Sequence, residues 1–520
     1  MGEQIQNHDR KIGFVALVGA GPGDPGLMTL RGKALIEEAD VLLYDALAHP
    51  QLLALAPAET ERCFVGKRGG SHENQQCSIN ALLVSRALSG QKVVRLKGGD
   101  PYLFGRGSEE AEILSACGIP FEVVPGVPSP VAATAYAGIS LTHRRLSSSV
   151  AYVTATEAPG KTRSAHDWSR LATATDCLVV FMGVRRLGEL CDLLVHHGRP
   201  AATPAAVIQE ASLPTQRTVV GTLETLAARA TEARIRAPAL IVVGEVVGLR
   251  QRLRWFDMHP LFGKRILSTR PEKQSQTLRT ELARFGADVL CAPTIETHAI
   301  QPNPALEAAL GRLAQVNLLL FTSANAVEAF MAGLEAQGLD ARALAQVTLA
   351  CVGPKTALAL TRFGLRADVT PPSFSGADLA DFLGKSGQLS GTYVLFPRAK
   401  VADEATVTAL EAGGATVEVV PVYETTLPGE AAQAALTAAL TAGVDATVFT
   451  SASTAKHFSQ LCAARYLDAE RGGIRVAIGP STATALKRCG IPAHHVAPEA
   501  THEGLVAALV AHFSDAQPSE

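Results

Sequence analysis

Val94-Arg-Leu-Lys-Gly-Gly-Asp-Pro101 is the stretch that decides the fold of the N-terminal half of this chain. The apolar pattern predicts a buried strand over residues 91–96, which runs into paired glycines. Glycines allow positive φ angles and let a ligand contact bare backbone, and Pro101 prevents the strand from continuing. A second such loop, Gly19-Ala-Gly-Pro-Gly-Asp-Pro-Gly26, follows an apolar strand over residues 14–18. Either loop alone is as typical of a tight turn as of a ligand-binding loop. Two such loops at strand ends, however, indicate that one ligand binds between them.

Strands and helices alternate on both sides of these loops. Thr29 is suited to cap a helix over residues 30–39, and the next strand is predicted over residues 41–44. Further strands are predicted at residues 121–124, 150–154, 177–181, 205–208 and 239–243. This alternation is typical of an α/β fold.

The spacing Gly21-x-Gly23-x-x-Gly26 also matches the dinucleotide fingerprint, so a nicotinamide-binding Rossmann domain is an alternative. A pyrophosphate needs backbone N–H donors from such a loop and from the helix that follows. Pro22 and Pro25 lack that donor, which argues against the alternative.

Two candidates for proton transfer follow neighbouring predicted strands. Asp45 comes directly after the strand at residues 41–44, and Lys67 follows the apolar residues Phe64 and Val65. An acid and a lysine at adjacent strand ends can face one cleft, where burial and proximity adjust their pKa values. Taken singly, each is more often an ordinary surface charge.

Composition limits the class of protein. The chain has 520 residues, a length that is typical of roughly three domains. Its hydrophobic content is 47%, its charged content 18% and its net charge -2, so we expect no nucleic-acid partner. Residues 1–11 lack an apolar core and are expected to be disordered, and no apolar run reaches the roughly 18 residues that span a membrane. We therefore expect a cytoplasmic protein with no membrane partner.

The nine cysteines are scattered, and none forms a Cys-x-x-Cys pair. Neither a disulfide framework nor a metal site is indicated. The cysteines are expected to be reduced residues of the core.

The C-terminal half repeats itself. Segments recur at an offset of 128 residues, from Arg270 to Arg398, from Pro293 to Pro421 and from Phe321 to Phe449, and a fourth at 126, from Val352 to Ile478. So long a period predicts two similar α/β lobes rather than a solenoid. The hydroxyls of the repeated Phe-Thr-Ser motifs (321–323 and 449–451) suit carboxylate binding at helix N-termini, or plain N-caps.

The N-terminal half, over about residues 12–250, resembles the uroporphyrinogen-III C-methyltransferases of the tetrapyrrole methylase class. The motifs that carry the resemblance are Gly19-Ala-Gly-Pro-Gly-Asp-Pro25, Val41-Leu-Leu-Tyr-Asp45, Val65-Gly-Lys-Arg68, Val94-Arg-Leu-Lys-Gly-Gly-Asp-Pro101, Phe104-Gly-Arg106, Ala137-Gly-Ile-Ser-Leu-Thr-His143 and Phe181-Met-Gly183. The resemblance implies two α/β lobes with the cofactor S-adenosylmethionine in the cleft between them.

By the same resemblance, Asp45 is the proton acceptor and Lys67 its acid-base partner. The implied contacts to S-adenosylmethionine are Pro22, Gly98, Gly99, Asp100, Leu103, Pro128, Ser129, Met182 and Ala211. Met182 is alternatively a flexible filler of the core. The substrate is an octacarboxylate, for which the cationic candidates on cleft loops are Arg31, Arg68, Arg106, Arg144 and Arg145.

Residues 264–514 resemble uroporphyrinogen-III synthases, through Phe321-Thr-Ser-Ala-Asn325, Val352-Gly-Pro-Lys-Thr-Ala357 and Pro421-Val-Tyr-Glu-Thr425. The resemblance implies lobe one at 264–296 plus 423–514 and lobe two at 297–422, after a linker at 251–263 and before a tail at 515–520. The implied reaction removes a hydroxyl group from the linear substrate hydroxymethylbilane, and Tyr423 is the candidate for assisting its departure. The alternative is that Tyr423 is a buried structural tyrosine. The candidates for substrate carboxylates are Ser323, Asn325, Arg398, Thr450, Ser451 and Thr482.

Together the resemblances predict an α/β chain, a two-lobed tetrapyrrole methylase fold followed by a bilobal synthase fold of two doubly wound parallel-sheet lobes. The implied function has two steps. Hydroxymethylbilane is cyclised to uroporphyrinogen III, and uroporphyrinogen III is methylated at C-2 and C-7 to give precorrin-2. Precorrin-2 is an intermediate in the synthesis of siroheme and cobalamin. S-adenosylmethionine is the expected cofactor, without NAD or iron chelation, and the methylase half is expected to form a homodimer. The alternative is a methylase for a later corrin intermediate, with the C-terminal half a non-catalytic tetrapyrrole-binding module.

Overall fold

The chain folds into two compact units in this computed structural model, which describes residues 12–66, 72–155, 166–371, 376–385, 387, 389–402 and 404–515. For residues 72–75, 272–273, 376–377 and 515 the description is limited to the backbone. The first unit contains the residues up to Arg265, Thr280–Asp288 and the stretch from Val510, and the second contains Ile266–Arg279 and Val289–Leu509. The disorder expected for residues 1–11 and most of the tail expected at 515–520 fall outside the described residues.

The first sheet of the N-terminal unit is parallel throughout, with the strand order β3-β2-β4-β1-β5. Its strands are β1 (Phe14–Gly19), β2 (Val41–Tyr44), β3 (Glu61–Phe64), β4 (Lys92–Lys97) and β5 (Phe121–Val124). The helices around it are α1 (Leu30–Glu37), α2 (Pro50–Leu53), α3 (His72–Leu88), α4 (Gly107–Ala116) and α5 (Ser129–Tyr136). In a parallel sheet all strands end at one edge, so the loops after β1, β4 and β5 lie at that edge.

Helices on both faces explain why the central strands are apolar throughout. Along β1, Val15 and Leu17 belong to one hydrophobic cluster, and Ala16 and Val18 belong to the cluster on the opposite face. Successive side chains of a strand point to opposite faces, so a strand covered on both sides has no polar positions. This arrangement confirms the strands predicted around the two glycine-rich loops.

The second sheet of this unit is mixed, with the order β6-β7-β10-β8-β9. β6 and β7 are parallel, whereas β10 is antiparallel to β7 and β8, and β9 is antiparallel to β8. The elements are β6 (Val150–Thr154), α6 (Trp168–Ala174), β7 (Cys177–Phe181), α7 (Leu187–His196), β8 (Pro204–Gln209), β9 (Arg217–Thr222), α8 (Leu226–Glu232), β10 (Ala239–Val243) and α9 (Arg250–Leu253). In this sheet, β9 has no counterpart among the predicted strands, whereas the other four strands do.

Two five-stranded sheets, in the orders β12-β11-β18-β19-β20 and β13-β17-β16-β14-β15, belong to the second unit except for the first residues of β11 and β12. The strands are β11 (Arg265–Ser268), β12 (Asp288–Cys291), β13 (Glu296–Ala299), β14 (Leu318–Phe321), β15 (Thr348–Cys351), β16 (Tyr393–Ala399), β17 (Thr416–Thr426), β18 (Ala446–Phe449), β19 (Ile474–Ala477) and β20 (His495–Val496). The helices are α10 (Glu272–Arg284), α11 (Pro304–Leu310), α12 (Ala324–Ala336), α13 (Pro354–Thr361), α14 (Gly376–Lys385), α15 (Ala405–Ala412), α16 (Glu430–Ala442), α17 (Ala452–Ala464), α18 (Pro480–Arg488) and α19 (His502–Asp515). Below, lobe one is the part around β11 and lobe two the part around β16.

The sequence repeat is exchanged between these lobes. The first repeat supplies β11 and β12 to lobe one and β14 and β15 to lobe two, and the second supplies β16 and β17 to lobe two and β18 and β19 to lobe one. Equivalent aromatic pairs occupy equivalent places in the two cores, Phe321 with Phe330 (ring centroids 5.6 Å apart) and Phe449 with Phe458 (5.2 Å). The two lobes therefore have similar internal architectures.

Residues 251–263, expected to be a linker, pack against the first unit. Trp255 Nε1 donates a hydrogen bond to the Ala135 carbonyl (2.9 Å), and its ring lies 5.1 Å from that of Tyr136. Leu261 is fully buried. The connection is thus part of the folded unit.

The prediction that the cysteines are core residues is wrong for several of them. Four are buried, at positions 177, 191, 351 and 462, but Cys77 and Cys117 are exposed and three are intermediate. Helical faces explain the difference, because α3 presents Cys77 to solvent and Cys117 caps the C-terminus of α4.

Candidate functional site

Three loops of the first unit are held backbone to backbone at the carboxyl edge of the first sheet. Gly21 N donates to Gly99 O (3.2 Å), and Gly99 N donates to Gly21 O (2.7 Å). A Cβ atom on Gly126 would lie 2.2 Å from Gly99 O, and one on Gly19 would lie 2.4 Å from Gly126 N. The loops after β1, β4 and β5 can approach this closely only because these positions carry no side chain.

The Asp100 carboxylate connects two of these loops by hydrogen bonds. Its Oδ1 accepts a hydrogen bond from Tyr102 N (2.8 Å), and its Oδ2 accepts one from Gly126 N (3.1 Å). Both carboxylate oxygens are therefore engaged by the protein's own backbone. The cofactor contact predicted for this residue stays a prediction.

Asp24 joins the two lobes of the first unit. Its N–H donates to Ser212 Oγ (3.0 Å) on the loop after β8, and its carboxylate accepts from Gly26 N (2.7 Å) and from the Tyr136 hydroxyl (2.6 Å). Burial, followed by the charge and hydrogen bond of Asp24, raises the pKa of Tyr136. This tyrosine therefore stays protonated and donates to the carboxylate.

Several residues predicted to contact the cofactor, or their neighbours in sequence, lie close to one another. A Cβ on Gly23, next to Pro22, would lie 2.9 Å from Ala211 O, and Ser129 N is the atom nearest to a Cβ on Gly99, at 3.6 Å. The rings of Phe104, next to Leu103, and Phe181, next to Met182, have centroids 4.8 Å apart. The predicted set thus lies on loops from both lobes.

Backbone strain marks the same loops. Five non-glycine residues here have positive φ angles: Phe104, Arg106, Met182, Glu210 and Ser212. Such conformations cost roughly 1–3 kcal/mol each and cluster at ligand-binding sites. Met182 is 55% exposed, so the alternative that it fills the core is wrong.

Asp45 directly follows β2, as predicted. Its Oδ1 accepts a hydrogen bond from Leu47 N (3.0 Å), and its Oδ2 lies 3.4 Å from Arg95 Nη2. The side chain is 26% exposed, which leaves the carboxylate accessible while an arginine holds it. Lys67 and Arg68, the other candidates on this side, lie outside the described residues.

Behind Asp45 lies a cluster of buried charges that the sequence reasoning missed. Glu110 Oε1 accepts from Lys97 Nζ (2.9 Å), Arg95 Nε (3.3 Å) and Gln76 Nε2 (3.2 Å). Burial, and next the charge of Arg95, lowers the pKa of Lys97. The available signal was the presence of Arg95 and Lys97 within an otherwise apolar central strand.

The arginines predicted to bind substrate differ in their availability. Arg31 forms a two-point ion pair with Glu122, and Arg106 forms one with Glu109. Arg144 and Arg145 are exposed, and no described carboxylate lies within 4.0 Å of either.

In the second unit, the structure brings Tyr423 and Ser323 together. The Tyr423 hydroxyl lies 3.1 Å from Ser323 Oγ, although 100 residues separate them in sequence. Tyr423 is part-buried on β17, and Ser323 caps α12 by accepting from Ala326 N (3.1 Å). The two hydroxyls meet between the end of β14 and the start of α12. Ligands of α/β sheets bind beyond the carboxyl ends of strands, so a hydroxyl at this place could act on a ligand.

The other predicted residues of this unit occupy equivalent strand ends. Ser451 caps α17 in a capping box with Thr454, directly after Thr450 and β18. Thr482 is buried in the first turn of α18, and Arg398, at the end of β16, forms an ion pair with Glu404. Both N-cap interpretations of the Phe-Thr-Ser motifs are confirmed, and carboxylate binding by these hydroxyls stays a prediction.

No described helix is both long and apolar enough to cross a membrane. No group of three or more described His, Cys, Asp or Glu residues could hold a metal ion.

Comparison with known proteins matches each half to a different family. Residues 15–227 match the family model of tetrapyrrole (corrin/porphyrin) methylases, and residues 276–507 match that of uroporphyrinogen-III synthase HemD. The uroporphyrinogen-III C-methyltransferase of Bacillus subtilis is 41% identical over 349 residues, 67% of this chain and 71% of that protein. A crystal structure of uroporphyrin-III C-methyl transferase from Thermus thermophilus with S-adenyl homocysteine covers 46% of this chain and 100% of that chain, at 42% identity and a TM-score of 0.40.

One relative matches both halves together. The porphyrin biosynthesis protein HemD of Ruminiclostridium josui is 38% identical over 499 residues, which cover 96% of this chain and 98% of that protein. The fold expected from the two resemblances is confirmed by the four sheets described above. The chain therefore belongs to the family of tetrapyrrole-biosynthesis proteins in which a tetrapyrrole methylase domain is fused to a uroporphyrinogen-III synthase domain.

Proposed function

We propose that this chain catalyses two consecutive reactions of tetrapyrrole biosynthesis. The second unit cyclises hydroxymethylbilane to uroporphyrinogen III, and the first unit methylates that product at C-2 and C-7 with two S-adenosylmethionine molecules to give precorrin-2. The strongest support is that one chain joins two domains of which one makes the substrate of the other. The Bacillus subtilis relative is a uroporphyrinogen-III C-methyltransferase, which supports the methyl transfer.

The chemistry of the cleft residues fits S-adenosylmethionine. Of the nine residues proposed to hold it, only Asp100 is charged, and its carboxylate already accepts two backbone hydrogen bonds. Of the rest, Ser129 carries a neutral hydroxyl and the others present backbone or apolar surface, and the glycine loops expose backbone that a Cβ would cover. No lysine or arginine among them opposes a cationic ligand. When bound, the cofactor supplies an electrophilic methyl group.

Asp45 is proposed to accept the proton that the substrate carbon loses when it is methylated. A base must be able to reach the substrate carbon, and the Asp45 carboxylate is part-exposed while Arg95 Nη2 lies 3.4 Å from its Oδ2. The hydrogen bond from Leu47 N fixes the second oxygen, so the base is oriented before substrate binds. The proposed acid-base partner Lys67 completes this assignment.

Carboxylate recognition in the first unit is assigned to arginines on the cleft loops. Arg144 and Arg145 are exposed without a described acidic partner, so they can bind a carboxylate directly. Arg31 and Arg106 would exchange Glu122 and Glu109 for carboxylates of the substrate.

In the second unit, Tyr423 is proposed to donate its proton to the hydroxyl group of hydroxymethylbilane as the carbon–oxygen bond breaks. The neighbouring Ser323 hydroxyl can stabilise the phenolate that remains, because its oxygen already accepts a hydrogen bond from Ala326 N and its proton can point to Tyr423. Asn325, Arg398, Thr450, Ser451 and Thr482 are proposed to hold substrate carboxylates at the same strand ends.

The experiment separates the two reactions by variants. We expect Asp45→Asn to abolish methylation of supplied uroporphyrinogen III while leaving cyclisation of hydroxymethylbilane intact. We expect Tyr423→Phe to lower cyclisation about tenfold to a hundredfold while leaving methylation intact. If wild-type protein leaves uroporphyrinogen III unmethylated but methylates a later corrin intermediate, the proposed substrate of the first unit is wrong. If it yields only the uninverted isomer, the second unit is a binding module.

Two further proposals concern organisation. The domain limits remain those of the two resemblances, residues 12–250 and 264–514, with the chain passing between lobes near residues 296 and 422. The methylase half is proposed to form a homodimer, and light scattering of the purified protein would measure its mass in solution.

A further inference from the structure

Arg270 lies at the end of β11 in lobe one of the second unit, in contact with polar groups of both lobes. Its Nη2 donates to Gln274 Oε1 (3.1 Å), and Gln274 Nε2 donates to Asn325 Oδ1 (3.4 Å) in lobe two. Its Nη1 contacts His502 Nε2 at the start of α19. The guanidinium is thus fixed in place, at the carboxyl edge of a parallel sheet where ligands bind.

The partners of Arg270 are neutral. An arginine only donates hydrogen bonds, so His502 Nε2 must accept and the imidazole proton must sit on Nδ1. Burial, followed by the charges of Arg270 and Lys355, lowers the pKa of His502 to about 4, which agrees with a neutral ring. The guanidinium therefore keeps its full positive charge.

Lys355 adds a second cation from lobe two. It lies in the first turn of α13, directly after β15, and burial and the charge of Arg270 lower its pKa. No described carboxylate lies within 4.0 Å of either cation, and Glu503, whose charge reaches Lys355, is exposed at the start of α19. The Gln274–Asn325 hydrogen bond brings Arg270 to the start of α12, just after β14, and Lys355 follows β15, the strand paired with β14. The two cations therefore belong to neighbouring strand ends, without a direct counter-ion.

The internal repeat shows that this charge is specific to one half of the molecule. Arg398, the repeat equivalent of Arg270, is paired with Glu404. Gln276 occupies the position in the first repeat that Glu404 occupies in the second, and Ser481 is the equivalent of Lys355. Arg270 and Arg398 occupy equivalent positions in the two repeats, but among the described residues only Arg398 has an acidic partner.

We propose that Arg270 and Lys355 form an anion-binding subsite shared by the two lobes, and that it takes a carboxylate of a polycarboxylate tetrapyrrole. Neither residue is among the predicted substrate ligands, and the subsite rests on the proposed function of the second unit for the identity of its ligand. Arg270 suits a two-point carboxylate contact, and Lys355 contributes a mobile point charge. A ligand bound to both would hold the two lobes together.

The first test uses steady-state cyclisation of hydroxymethylbilane without S-adenosylmethionine, so that methylation cannot contribute. Arg270→Gln and Lys355→Gln are each expected to raise KM about tenfold to a hundredfold with kcat nearly unchanged, as for loss of one charge-assisted hydrogen bond. Arg270→Lys should recover part of the loss. The matched control is Lys487→Gln, an exposed cation in the last turn of α18, which should change neither constant.

A binding readout separates this subsite from the reaction. Uroporphyrin III, an unreactive octacarboxylate, should slow hydrogen exchange of the segments β11–α10 and β15–α13 in wild type, and not in the Arg270→Gln/Lys355→Gln double variant. Raising the salt concentration should weaken this protection in wild type.

The outcomes are distinct. Protection without cyclisation would refute the proposed function and keep the subsite. Cyclisation with unchanged KM in both variants would refute the subsite and keep the function. Variants that only lower the melting temperature, or a wild type that uroporphyrin III does not protect, would also overturn the subsite.

Discussion

Replacing Glu110 with glutamine is expected to destabilise the N-terminal unit strongly. Glu110 is fully buried, and one of its oxygens accepts hydrogen bonds from Lys97 (2.9 Å) and Arg95 (3.3 Å), which are also buried. Removing one member of a buried ion pair costs about 3–5 kcal/mol, because the remaining charge stays buried without its counter-charge. Here two cations lose one anion, so we expect a loss of about 4–5 kcal/mol in the free energy of unfolding.

Intrinsic tryptophan fluorescence during urea unfolding measures this loss. The chain has two tryptophans, Trp168 and Trp255, and both belong to the first unit, so the signal reports that unit alone. A single free energy for the whole chain would be ill-defined, because two units need not unfold together.

Glu109→Gln is the matched control, one residue away. Glu109 is exposed and pairs with Arg106 at the surface, so its loss should cost less than about 1 kcal/mol. Adding Lys97→Met to Glu110→Gln should recover much of the lost stability, because it removes a buried charge that has no counter-charge. If Glu110→Gln and Glu109→Gln unfold at the same urea concentration, the cluster is not the coupled unit described here.

Three other expectations follow from the geometry. Gly126→Ala should lower stability and abolish S-adenosylhomocysteine binding by calorimetry, because its Cβ would lie 2.2 Å from Gly99 O; unchanged binding would contradict the backbone packing. For His502, the folded pKa is lowered to about 4 from an ordinary 6.5, so between these values only the unfolded chain binds the proton. Stability should therefore fall as pH drops through that window, and His502→Gln should lose this part of the pH dependence of the melting temperature. The double variant Arg144→Gln/Arg145→Gln should raise KM for uroporphyrinogen III with little change in kcat; an unchanged KM would exclude both from substrate binding.

Local signals in the sequence were sufficient for much of the fold. Thr29 was expected to cap α1, and its Oγ accepts a hydrogen bond from Gly32 N. The strands around the glycine-rich loops were likewise predicted, because apolar periodicity and turn residues act over a few positions. The exchange of repeats between lobes was implied only by the resemblance to uroporphyrinogen-III synthases.

Features that depend on distant residues could not be derived in this way. The pairing of Arg31 with Glu122, 91 positions away, could not be read from the sequence, and the contact of Arg31 with substrate stays a prediction. The contact between Ser323 and Tyr423 likewise depends on how two strands meet in lobe two. The buried charges of Arg95, Lys97 and Glu110 look like ordinary polar residues until the strand and helix are packed together.

The proposed function requires that one chain carries out both reactions in sequence. The most direct test supplies hydroxymethylbilane as the only tetrapyrrole, together with S-adenosylmethionine labelled in its methyl group, and analyses the product by mass spectrometry. We expect a tetrapyrrole of the inverted isomer series that carries two labelled methyl groups. An unlabelled product, or one derived from the uninverted isomer, would contradict it.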